Sequence, residues 1–236
     1  MRIVFLSLIF LLLTGISKAQ NSATPDAPIT PASAEMFVDE YANRPTESRI
    51  VPVEFFNIDG SPFVTEEWVK ATVIVDSAHS YQNVMIRLNV YDNKIHFKDF
   101  EGKERMLTTK VSEIKITDPN SPYNNSIFLT GFSPNKNEFY RVLVDGPKVR
   151  LLEKYSARKT DIKVFNGEPK TQFDVDKDVY FYSVSVKNMY KGTKKIAEIL
   201  DVFGNDKKVT EYVYLNGLRG NKKEDAIKIA TYYNSY

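Results

Sequence analysis

Apolar and polar positions follow two different periods along this chain. From about Ile50 to Lys187 the period is two. Val69, Ala71, Val73 and Val75 alternate with Lys70, Thr72 and Ile74, and Ile86, Leu88 and Val90 alternate with Arg87 and Asn89. The same alternation places Ile95 and Phe97 opposite Lys94, His96 and Lys98, and Ile114 and Ile116 opposite Glu113, Lys115 and Thr117. Successive side chains of a strand point to opposite faces, so these are strands with one buried face. Asp92-Asn93 reads as a two-residue hairpin, and Asp145-Gly146-Pro147 as a second hairpin between Val142–Val144 and Val149–Leu152. Connections this short have no room for crossover helices, so the sheet is expected to be largely antiparallel.

After Lys187 the period becomes helical. Ile196, Ile199, Leu200 and Phe203 form one stripe that ends at Gly204. Asn205 or Asp206 is placed to cap a second helix carrying Val209, Tyr212 and Val213, which ends at Gly217. Asn221 and Glu224 suggest a capping box for a third helix with Ala226, Ile229, Ala230 and Tyr233 on one face. Helices this short need docked stripes to be stable, so residues 192–236 are expected to pack on the sheet as part of one domain, 46–236. The fold class expected is α+β. It has about eight to ten strands in a curved, largely antiparallel sheet (meander, sandwich or partial barrel) covered by short C-terminal helices.

The N-terminus is different in kind. Arg2 precedes an apolar run from Ile3 to Ile16, and Ser17 and Ala19 put small residues before Gln20. This is the layout of a secretory signal peptide over residues 1–19, cleaved between Ala19 and Gln20. The run of about 14 residues is short of the ~20 that span a bilayer, so no transmembrane segment is expected in the mature chain. Residues 20–45 hold Pro25, Pro28, Pro31 and Pro45 and read as a flexible Pro-rich segment, with a helical turn expected around Met36–Tyr41.

Three stretches then suggest a relationship. Tyr81-Gln-Asn-Val-Met-Ile-Arg-Leu-Asn-Val-Tyr-Asp92, the Val149-to-Lys154 strand after a glycine turn, and Lys222-Lys-Glu-Asp-Ala-Ile-Lys-Ile-Ala-Thr-Tyr-Tyr-Asn-Ser-Tyr236 resemble a recurring type of exported Bacteroidota protein of unknown function. The resemblance implies an envelope or extracellular location and a β-rich fold with terminal helices. It implies no activity and no catalytic residues.

Composition narrows the chemistry. The 236 residues are 42% hydrophobic and 26% charged and contain no cysteine, which excludes disulfides, thiolate metal sites and cysteine nucleophiles. Lys and Arg number 32 against 30 Asp and Glu, and loss of Arg2 and Lys18 with the signal peptide makes the mature chain neutral. A neutral chain has no general pull on nucleic acid, and no nucleic-acid partner is expected. An export signal without disulfides points to the periplasm, cell surface or exterior of a bacterium.

The sequence contains no GxSxG, HExxH, GxxxxGK[ST] or GxGxxG, and no cofactor is expected. His79 is expected in an exposed turn, and His96 on the solvent side of its strand. Asp174, Asp176 and Asp178 have the spacing that begins a calcium loop. Val179 and Ser185 then replace its turn glycine and its final glutamate, so they read as a polar loop before a Tyr180–Val186 strand. Trp68, Tyr91 and Tyr81 are the aromatics most open to lining a concave surface. These observations give no catalytic, cofactor or metal residue. The function expected is a non-catalytic interaction or ligand-binding module, with an unknown protein or an apolar or sugar ligand as partner. The alternative is a hydrolase acting on polysaccharide or peptide. A binding role calls for an apolar cavity in a curved sheet; an enzyme calls for an open cleft with two converging carboxylates.

Overall fold

A computed structural model describes residues 30–44, 46–51, 58–162 and 170–236. The signal-peptide reading falls outside these residues, as do residues 20–29 and 45 of the Pro-rich segment. The first described element, α1 (Ala34–Ala42), is longer than the expected turn, and Ser33 caps it through the Met36 N–H. It buries Phe37 and Tyr41 against the sheet, so the packed structure reaches back into the Pro-rich stretch.

Eleven strands follow among the described residues: β1 (Ser48–Ile50), β2 (Val69–Ile74), β3 (Ser80–Asn89), β4 (Lys94–Lys98), β5 (Glu104–Leu107), β6 (Glu113–Ile116), β7 (Ile127–Leu129), β8 (Tyr140–Val144), β9 (Val149–Ile162), β10 (Lys170–Ser183) and β11 (Asn188–Lys191). They form one sheet in the order β1-β5-β4-β3-β2-β6-β7-β8-β9-β10-β11, and every pairing is antiparallel. The protein is therefore α+β, with a sheet that curves without closing into a barrel. The turn between β3 and β4 is longer than expected. Asn89 pairs with Lys94, so four residues make the connection, and the Asn89 side chain accepts from Tyr91 N–H to hold it.

The curvature brings distant strands together. Ala157 N–H of β9 donates to the Val90 carbonyl just past β3 at 3.2 Å. Between them runs a strap, residues 58–66. On one side Asp59 exchanges hydrogen bonds with Thr171 and Phe173 of β10; on the other, Val64 N–H donates to Leu88 and Val90 N–H to Pro62. Gly60 makes the approach to β10 possible: its φ is +77°, and a Cβ there would sit 2.9 Å from the Phe173 carbonyl oxygen.

Two main cores result. The concave face of β2–β7, with α1, encloses Phe37, Val73, Ile86, Phe97, Ile114 and Phe128. The second core lies where α2 (Ile196–Val202), α3 (Lys207–Leu215) and α4 (Lys223–Asn234) dock on Val149, Leu151, Val179 and Phe181. Asp206 caps α3 through the N–H groups of Lys208 and Val209. The capping box expected at Asn221 and Glu224 is not formed. Lys222 occupies the N-cap position without a side-chain bond, and Asp225 instead accepts from Arg219 N–H.

Candidate functional site

On β3, Ile86 and Leu88 enter the core, so Arg87 and Asn89 must project from the opposite face. His96 of β4 is paired in register with Arg87 and shares that face. The strap crosses above them. His96 is therefore 1% exposed, against the solvent-facing position expected from its neighbours Lys94 and Lys98. Alternation locates a side chain on a face but carries no information about what covers that face.

A polar chain runs through this covered space. Arg87 Nη2 lies 2.6 Å from each carboxylate oxygen of Glu104 on β5. Glu104 Oε1 is 2.7 Å from His96 Nδ1, and His96 Nε2 faces Asn89 Nδ2 at 3.4 Å and Asp92 Oδ2 at 3.8 Å. Burial opposes the charge on His96, but hydrogen bonds and charge from Asp92 and Glu104 prevail and hold its pKa above the ordinary value. Burial likewise pushes Glu104 up, and the bonds from His96 and Arg87 hold it below the ordinary range. The two directions agree that His96 and Glu104 each favour the charged form of the other. The Arg87 guanidinium carbon also lies 4.0 Å from the Phe63 ring centroid and 4.5 Å from that of Trp68.

Beneath the strap opens a cavity of about 350 Å³ whose walls are Val51, Ile58, Pro62 and Phe63 on the apolar side and Glu66, Arg87, His96 and Glu104 on the polar side. A second cavity of about 350 Å³ lies on the β9–β10 side, among Tyr123, Tyr155, Phe173, Val175 and Lys177. The two share Ser61, Phe63 and Glu66. Together they form a cleft along the strap, charge-paired at one end and aromatic at the other. The Glu66 carboxylate has no partner among the described residues and lines both halves.

The other candidates from the sequence disperse. Tyr81 belongs to the core, its ring among Phe37 and Tyr41 and its hydroxyl on Glu40. Trp68 lies under Arg87 and Lys98, while Tyr91 packs edge-on against Phe173, so the three share no surface. His79 is in an exposed turn, 2.9 Å from Asp76. Asp174, Asp176 and Asp178 are in β10, not in a loop. Gln172 donates to Asp174, Arg158 pairs with Asp176 and Lys191 with Asp178. They serve cross-strand and edge contacts, and no group of residues suited to a metal ion occurs among the described residues. Nor is any helix among them long and apolar enough to cross a membrane. Phe63, Arg87 and Glu104 were not legible as a site, because the strap that assembles them carries no motif.

No family model matches the chain, and neither a curated protein nor a solved structure does.

Proposed function

We propose that the protein is an exported, non-catalytic binding module of the bacterial envelope or exterior, whose cleft along the strap takes a saccharide chain. The observation that carries this reading is the meeting of the two cavities at Ser61, Phe63 and Glu66. An elongated ligand with apolar ring faces and many hydroxyls suits walls that are aromatic at one end and charge-paired at the other. Arg87, His96 and Glu104 are engaged with one another, and the unpartnered Glu66 carboxylate is placed to accept from ligand hydroxyls. The first 19 residues support export, and the neutral mature chain suits an uncharged partner.

Glu66 and Glu104 both line the first cavity, which is the arrangement a hydrolase would use. Both Glu104 oxygens are held by Arg87 and His96, so neither is free to attack a sugar carbon or to hold a water beside Glu66. This weighs toward binding.

Affinity electrophoresis of residues 20–236 through gels containing soluble β-glucan, xylan, mannan or chitosan tests the reading. At least one polysaccharide should retard the protein, and Tyr123→Ala or Glu66→Gln should restore free mobility. Unretarded migration in every gel would overturn it, and release of reducing ends would select the hydrolase.

A further inference from the structure

A third cavity, separate from the cleft, lies where the β3–β4, β5–β6 and β7–β8 connections gather. Its volume is about 360 Å³, at the small end of the range for ligand sites. The floor is Ile95, Leu107, Val111 and Phe139, all buried. The rim is polar and balanced in charge, with Lys94 and Lys110 set against Asp92 and Glu138. Glu138 is already engaged by Lys154 and by the Tyr140 hydroxyl.

Several rim groups have work left to do. The side chains of Thr109, Asn137 and Lys94 have no partner among the described residues. Thr130 donates its hydroxyl proton to the Val111 carbonyl, which leaves its oxygen free to accept. Asn93, held at φ +56° in the turn, has its Oδ1 buried without a donor. Such an acceptor is a standing cost; a ligand hydroxyl removes it once the amide turns about χ2 toward the cavity.

We propose that this cavity is a second binding site, for a single neutral sugar ring. An apolar floor suits the C–H face of a pyranose, and the rim offers donors and acceptors at the level of its hydroxyls. The balanced charge disfavours a free anion or cation. The site does not depend on the cleft: apart from the turn residue Asp92, which faces His96 at 3.8 Å, no residue of the polar chain lines it.

The test is an amide chemical-shift titration of residues 20–236 with the methyl glycosides of glucose, galactose, mannose and N-acetylglucosamine. At least one should give saturable shifts at 93–95, 108–111 and 137–139, with a dissociation constant of about 1 mM or tighter. Thr109→Val and, independently, Asn137→Ala on its exposed loop should each weaken binding by about threefold to tenfold, the worth of one hydrogen bond. Glu66→Gln, in the cleft, should change nothing here. No saturable shift at these residues with any of the four sugars would overturn the proposal, as would shifts that both rim variants leave intact.

Discussion

Asn234, the last residue of α4, and Val149, the first of β9, exchange two hydrogen bonds. Val149 N–H donates to Asn234 Oδ1 at 3.1 Å, and Asn234 Nδ2 donates to the Val149 carbonyl at 2.9 Å. Lys148 N–H donates to the same Oδ1 at 3.1 Å. At the other end of the helix, Lys223 reaches the buried carboxylate of Glu153 at 3.1 Å. Helix α4 is thus fastened to the start of β9 at both ends, and Ala226, Ile229 and Ala230 are buried between the fastenings. Gly146 permits this, since a Cβ there would lie 2.2 Å from the Asn234 side chain.

Replacing Asn234 by Ala strands two N–H groups and a carbonyl. The expected cost is about 1–3 kcal/mol in urea unfolding, the range for polar groups left unpaired. An unchanged midpoint would show that water replaces the amide without loss.

The helical core is expected to be integral to the fold. Phe203 is 4% exposed, with its ring 5.6 Å from Phe181 and 4.8 Å from Tyr233. Phe203→Ala should cost about 3–5 kcal/mol. Deleting residues 192–236 uncovers Val149, Leu151 and Phe181 and should give an insoluble or molten product. A soluble truncated chain unfolding cooperatively near the full-length temperature would contradict this.

Stability should peak between about pH 4.5 and 6.5. Glu104 and Glu153 are pushed up by burial but held lower by their partners, and both end below the ordinary glutamate value of 4.5. Their contribution is complete above that value and is lost as pH falls through their folded pKa values. His96 is held above its ordinary 6.5, so its contribution is complete below that and is lost as pH rises through its folded pKa. A melting-temperature series should decline on both sides, and His96→Gln should flatten the alkaline arm. An alkaline decline unaltered in His96→Gln would place its origin elsewhere.

Gly60→Ala should loosen the strap. The left-handed backbone and the close Phe173 carbonyl both penalise a side chain, at a cost of about 1–3 kcal/mol. Hydrogen exchange should quicken at the amides of Asp59 and Phe173, which hold the strap to β10. Unchanged exchange there would mean that the strap is fixed from its β3 side alone.

The strands β2, β4 and β6 and the helix ends at Gly204 and Gly217 were legible because each follows from local periodicity or from a residue with one strong conformational preference. The site was not. His96 looked solvated because only its own strand was in view, and its burial depends on a strap whose hydrogen bonds join it to β3 and β10. Likewise the aspartates of β10 carried the spacing of a loop, while their pairing with Arg158 and Lys191 depends on long-range register. The missing information was non-local in each case.

Trp68 is the protein's sole tryptophan and lies 4.5 Å from the Arg87 guanidinium, beside the cleft. Its fluorescence therefore reports directly on whether the cleft binds a saccharide. Titration of residues 20–236 with soluble cello-, xylo-, manno- and chito-oligosaccharides should give a saturable change in emission with at least one series. The double variant Glu66→Gln, Phe173→Ala, which alters cleft side chains and keeps the Glu66 carbonyl that accepts from Arg87, should abolish it. No saturable change with any series, or a change that survives the double variant, would contradict the account.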